Sequence, residues 1–185
     1  MKRFAQYLFL MLLTTVLGCA SHPKSTATPA QIEALDTMVS NRSIEIDAKW
    51  ARPLATQSLN NISNAGLLPY GSTANRIDLS GSTSYLRVLS DHVEAKLPYY
   101  GEQQMGGPYN PNNAGIEFEG TPKDFVLEPN EKNGGYTMKF AVNQGAENFQ
   151  VTAQLFPSHS CTFNIVSSHR RSIQYDGTVS EYVEE

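Results

Sequence analysis

Along most of the chain, hydrophobic and polar side chains alternate with a period of two. In a β-strand successive side chains point to opposite faces, so this pattern predicts strands with one buried face. In "SIEIDAKW", Ile44, Ile46, Ala48 and Trp50 fall on one face, and Glu45, Asp47 and Lys49 on the other. "NRIDLS", "SYLRVL", "HVEAKL" and "GIEFEG" follow the same rule, and "DFVLEP" does so over a shorter run. Tyr136, Met138, Phe140 and Val142 share a face, as do Phe149, Val151, Ala153 and Leu155. Cys161, Phe163 and Ile165 make another such set, and "SIQYDGTV" closes the series with Ile173 and Tyr175. Turn-forming stretches separate the runs: "SD" at 90–91, "NEKNGG", "QGAE", "PSHS" and "SSHR". Many strands at about ten-residue spacing, each with one polar face, predict an antiparallel meander. Such a sheet manages its edges by curving strongly or by closing into a barrel.

Only one segment carries a helical period. Thr28 is a good N-cap, Pro29 suits the first helical position, and Gln31 completes the capping-box spacing. Ile32, Leu35 and Val39 then lie along one narrow stripe, and the helix is expected to stop near Asn41, packed outside or across one end of the sheet. The expected fold is thus mainly β: a single antiparallel meander, strongly curved or closed into a barrel, with an N-terminal helix. Two stretches do not alternate, residues 51–75 and about 99–114. Loops this long usually carry function or lack structure of their own. A short helical turn is expected within "NISNAGLLPYGS".

The start of the chain has a different character. Lys2 and Arg3 precede the apolar run "YLFLMLLTTVLG", the layout of a secretory signal peptide and too short for a membrane-spanning anchor. "VLGCAS" resembles a bacterial lipobox, in which Cys19 becomes the lipidated first residue of the mature protein. Acyl chains contribute about 0.8 kcal/mol per buried CH₂, so two or more of them anchor stably. The predicted organisation is a signal peptide at 1–18, a lipidated Ser/Thr/Pro-rich tether at 19–28, and one domain at 29–185. Ala20 and Ser21 after the cysteine, with no Asp and no acidic run, match the sorting pattern of an outer-membrane lipoprotein facing the periplasm.

Of 185 residues, 167 remain after such cleavage, enough for one domain with a core that needs no disulfide. A lipidated Cys19 would leave Cys161 unpaired, and its place on an apolar strand face predicts a buried small hydrophobe. Losing Lys2 and Arg3 leaves twelve basic residues against eighteen acidic ones, a formal charge of −6. An acidic chain without a basic cluster excludes nucleic-acid binding and electrostatic attachment to anionic lipid. The four histidines are scattered without metal-ligand spacing, so no metal is expected. No nucleotide-binding or nucleophile motif occurs, and no cofactor is expected.

The blocks "NRIDLSG", "YLRV", "AKLPYYG", "GIEFEG", "YTMKF", "FQVTAQLFPS" and "SSHRRSIQYDGTV" occur in order from Glu45 to Val179. They resemble a domain-of-unknown-function family of secreted and lipid-anchored proteins of Bacteroidota, with "LPYYG" and "GIEFEG" the most specific. One departure is Ser90-Asp91-His92 in place of the family's Gly-Asp-Ser, which leaves the turn type open. The resemblance implies an address and a fold, and it carries no activity or catalytic residue.

Candidate site residues come from composition. Tyr99, Tyr100 and Tyr109 stand among Gly and Asn residues, including Asn112, a mixture suited to protein or sugar recognition. The competing expectation is that the tyrosine rings close one end of the barrel. Arg170 and Arg171 open the last strand and suit either a ligand carboxylate or a neighbouring acid. Glu117 and Glu119 share a face with Cα atoms roughly 6.6 Å apart, compatible with an inverting glycosidase and equally with a solvated face. The expected function is a lipid-anchored, non-catalytic envelope protein that binds a protein or a glycan through the 99–114 loop. The alternative is a hydrolase of an envelope polymer using Glu117 and Glu119.

Overall fold

The structure, a computed structural model, describes residues 27–104 and 115–183. Among these residues two helices, α1 (Pro29–Asn41) and α2 (Gln57–Asn64), accompany ten strands. The strands are β1 (Ser43–Pro53), β2 (Ile77–Asp78), β3 (Tyr85–Leu89), β4 (His92–Leu97), β5 (Ile116–Gly120), β6 (Lys123–Asn130), β7 (Gly135–Gln144), β8 (Glu147–Leu155), β9 (Ser160–Ser167) and β10 (Ile173–Ser180). All belong to one antiparallel sheet of order β5-β4-β3-β1-β10-β9-β8-β7-β6, with β2 paired to β1 beyond the end of β3. Two hairpin series, β3 to β5 and β6 to β10, are therefore joined side by side through the first strand.

The order explains the curl. β5 and β6 are the two edges of the sheet, yet only Thr121 and Pro122 connect them. The edges must therefore approach each other. Phe118 of β5 lies 5.2 Å from Phe149 of β8 and 6.3 Å from Phe140 of β7, ring centre to ring centre. Among the described residues no ladder joins β5 to β6, so the sheet is a strongly curled half-barrel. Its inner face carries the alternating apolar positions, among them Ile44, Ile46, Leu86, Val88, Val151 and Phe163, all buried. The expected meander, its strong curvature and the N-terminal helix are all present.

α1 begins with the capping box: Gln31 N donates to the Thr28 hydroxyl at 3.3 Å, and Thr28 N to Gln31 Oε1 at 2.9 Å. It ends at Arg42, whose φ of 50° lies in the left-handed region. Leu35 and Met38 are buried, and Val39 packs beside them. The helix lies across one end of the curl. Ser90 N donates to Arg42 O at 2.8 Å, the Tyr136 hydroxyl to Asp36 at 2.8 Å, and the Arg42 guanidinium sits 5.0 Å above the Phe125 ring. α2, capped by Thr56 and docked through Leu59, starts earlier in the 51–75 connection than the helical turn expected there.

Trp50 corrects the face assignment of β1. A bulge between Ala48 and Trp50 leaves Lys49 without a partner in the β10 ladder and shifts the alternation by one residue. Ala51 is buried in place of Trp50, and the indole turns half outward beneath the Arg76 guanidinium, 3.7 Å from the ring centre. Gly177 lies opposite Ala48 at this point, where a Cβ would collide with the Asp47 carbonyl oxygen.

Candidate functional site

Two polar regions stand out. The first is the end of the curl where β4 leaves the sheet and β9 crosses to β10. The Tyr175 hydroxyl, fully buried, donates to Pro98 O at 2.9 Å and fixes the departing chain. The Tyr99 hydroxyl then lies within hydrogen-bond distance of two carbonyls, Glu102 O at 3.0 Å and Arg171 O at 3.1 Å. Gln104 N donates to His169 O and Arg171 N to Glu102 O, at 2.7 and 3.2 Å. Residues 98–104 are thus tied to 168–171 by main-chain and phenol bonds alike. Burial raises the Tyr99 and Tyr100 phenols above their usual range, so both remain neutral.

The two arginines divide sharply. Arg170 is 5% exposed, and its guanidinium reaches Glu147 at 3.0 Å and the carbonyl of Gly115. It also lies 5.4 Å from the centre of the Tyr99 ring. Arg171 is half-exposed and pairs at 3.2 Å with Glu102, which is equally open. Tyr99 and Tyr100 both pack against the core while keeping partial exposure. The structure thus brings Tyr99, Tyr100, Arg170 and Arg171 to one end of the curl. Tyr109 and Asn112 lie outside the described residues, as do Cys19 and residues 1–18.

The second region is on the outer face of β1, β3 and β4, and nothing in the sequence reading singled it out. Arg87 lies between two carboxylates, Glu45 at 3.0 Å and Glu94 at 3.5 Å. Its guanidinium stacks 4.0 Å from the Tyr85 ring centre and 5.0 Å from that of Tyr182. The Tyr85 hydroxyl donates to Glu94, and burial together with that carboxylate pushes the phenol up to about 12. The loop 79–84 overhangs this face and leaves a cleft of about 640 Å³. Ala48 N donates to Ser84 O at 2.8 Å, and the Ser82 hydroxyl meets Leu79 O at 3.0 Å and the Ser84 hydroxyl at 2.9 Å. At its base Asp78 accepts from Ser80 N and Oγ at 2.8 and 2.6 Å, which holds that carboxyl below its usual range. The sequence signal was present in the outward residues Glu45, Asp47, Tyr85 and Arg87 and the small-residue run "SGSTS". Only the β1–β3 register brings them together.

Glu117 and Glu119 occupy the outer face of the edge strand β5, opposite Lys96 and Glu94. Both line a smaller cleft of about 280 Å³ that Tyr85 also borders. Glu119 is 71% exposed and meets His92 at 3.3 Å. A glycosidase acid needs a site that shields it from water, and this strand edge is open to it. No group of metal-ligating side chains occurs among the described residues. None of their helices is long and apolar enough to cross a membrane.

A family model described as a domain of unknown function, DUF4251, matches residues 27–179. The chain belongs to the DUF4251 family. A crystal structure of a DUF4251 family protein from Bacteroides eggerthii is similar to it, with a TM-score of 0.53 and 11% identity. The match covers 82% of this chain and 88% of that one, and at such identity it speaks for the fold alone. No curated protein matches. Family membership therefore supports the curled sheet described above and assigns no chemistry to Tyr99, Arg170 or the cleft.

Proposed function

We propose that this DUF4251 protein is a lipid-anchored, non-catalytic binding module of the bacterial cell envelope. Cys19 carries the lipid on the periplasmic side of the outer membrane, and a protein partner docks where Tyr100, Glu102 and Arg171 stand. The supporting observation is that the single Tyr99 hydroxyl proton is shared between the carbonyls of Glu102 and Arg171, both within hydrogen-bond distance. It gives the partly exposed Tyr100 and the exposed ion pair a rigid base, so little ordering cost accompanies docking. Tyrosine and arginine are also the side chains most often found at binding hot spots.

The test uses the lipidated chain isolated from its native membrane after mild cross-linking. Arg171→Ala is expected to stay close to the wild-type melting temperature and Tyr100→Ala, which gives up some packing on the core, to lower it modestly while remaining folded. Both are expected to lose the cross-linked partner. Mass spectrometry is expected to find acyl chains on Cys19, and Cys19→Ser to free the protein from membranes. Unchanged cross-linking in both surface variants would remove the docking assignment, and an unmodified Cys19 in a membrane-bound chain would remove the anchor.

A further inference from the structure

We propose that the cleft between the 80–84 loop and the outer face of β1 and β3 binds a neutral oligosaccharide. This inference goes beyond the protein-docking reading and concerns a different surface. At about 640 Å³ the cleft lies in the usual size range of small-molecule sites, about 300–1,000 Å³. Its lining decides the ligand class. The strands supply Glu45, Asp47, Lys49 and Arg87, two acids and two bases, so charge favours neither an anion nor a cation. Arg87 is already neutralised by Glu45 and Glu94, and Lys49 pairs with Asp47, which leaves no spare cation for a phosphate. Leu79 is the one aliphatic side chain among the lining residues, which excludes an acyl chain or another apolar guest.

What remains is dense in hydrogen-bonding groups. Serine and threonine hydroxyls of the loop both donate and accept, the carboxylates accept, and the guanidinium and ammonium donate. Sugar hydroxyls also do both, and a wall of mixed donors and acceptors matches them. The groups are preorganised. Arg87 is held by two carboxylates and two aromatic rings, and the loop is bonded to β1 through Ser84 O and Ala48 N. Tyr85 borders this cleft and the neighbouring 280 Å³ one, which holds Glu94, Lys96 and Glu117. A linear chain of sugars can therefore continue past Tyr85, which favours an oligosaccharide over a single ring.

Gly81 supplies the means of testing this. It lines the cleft, has no left-handed φ, and a Cβ added there meets nothing within 4 Å. Backbone geometry does not require the glycine, and a side chain added there has open space to enter beside the cleft. The full-length chain, solubilised in detergent, is applied to an array of defined neutral and acidic oligosaccharides. Retention of one or more neutral oligosaccharides is expected. Gly81→Phe is expected to weaken it by at least about tenfold at an unchanged melting temperature. Thr152→Phe, which places the same ring on an exposed position of β8, is expected to leave retention unchanged. Asp47→Asn, which alters the floor without adding bulk, is expected to weaken retention too and serves if Gly81→Phe is destabilised. Retention of no neutral oligosaccharide by the wild type, or equal retention by Gly81→Phe and Asp47→Asn, would overturn the assignment. Neither result bears on the docking of a protein at Tyr100.

Discussion

Arg170 and Glu147 form a buried ion pair at 3.0 Å, with side chains only 5% and 15% exposed. The pair joins the start of β8 to the crossing between β9 and β10. Glu147 also accepts from the Ser167 hydroxyl, and the Arg170 guanidinium also donates to Gly115 O. Removing one partner strands a desolvated charge. Arg170→Ala is expected to cost about 3–5 kcal/mol, the usual penalty for breaking a buried pair. Arg171→Ala, which breaks a half-exposed pair, is expected to cost no more than about 1 kcal/mol. Urea unfolding of the two variants checks the contrast, and equal losses would contradict the burial of Arg170.

This pair also marks how much of the structure was readable beforehand. Period-two alternation placed Phe140, Phe149, Phe163 and Tyr175 on buried faces correctly, because the rule is local. "SSHRR" reads as a polar surface turn, and its first arginine is nevertheless inside. The residues that take it there lie 23 and 55 positions away. Trp50 was misplaced for a similar reason. The bulge that shifts it depends on β10 and on Gly177, which no pattern within β1 reveals. The Tyr85 cleft needs β1, β3, the 79–84 loop and Ser180 at once. Contacts assembled from distant segments leave only diffuse signals in any one of them.

Phe140 and Trp50 offer a direct measure of the inner and outer faces. Phe140 is 3% exposed, with Phe118 at 6.3 Å and Phe125 at 6.1 Å between ring centres. Phe140→Ala is expected to cost about 3–5 kcal/mol, as for other buried aromatics. Trp50→Ala removes a half-buried ring stacked on one guanidinium and is expected to cost clearly less. Comparison of urea midpoints decides, and a larger loss at Trp50 would reverse the assignment of the bulge.

The β3–β4 turn carries avoidable strain. Ser90 has φ 58°, and of the two loop residues it alone has a positive φ, at the position where a type II′ turn prefers glycine. A left-handed conformation costs a side-chain-bearing residue roughly 1–2 kcal/mol, while glycine returns about 0.5–1 kcal/mol in chain entropy. Ser90→Gly keeps the main-chain bond from Ser90 N to Arg42 O. A net gain of about 0.5–1 kcal/mol is expected, read as a rise in Tm. A fall in Tm would mean that the serine side chain contributes something the turn geometry does not explain.

Cys161 gives the chain a dependence on alkaline pH. Its side chain is 2% exposed on the inner face of β9, and burial, reinforced by the nearby Asp176 charge, pushes the thiol up to about 12. A thiol in an unfolded chain ionises near 9. The folded state thus holds its proton more tightly than the unfolded state. The associated stability is complete below pH 9 and is lost as pH rises toward 12. Several tyrosines titrate across part of the same window, so the informative quantity is the difference between wild type and Cys161→Ala. That difference in unfolding free energy is expected to shrink steadily from pH 9 upward, because only the wild type has the thiol to lose. The same burial makes the thiolate scarce and inaccessible. At pH 8 a disulfide reagent is expected to leave Cys161 untouched in the folded chain and to modify it only once urea unfolds the sheet. Rapid modification of folded protein at Cys161, or a wild-type-to-variant difference that stays constant from pH 8 to 11, would show the thiol to be open to solvent.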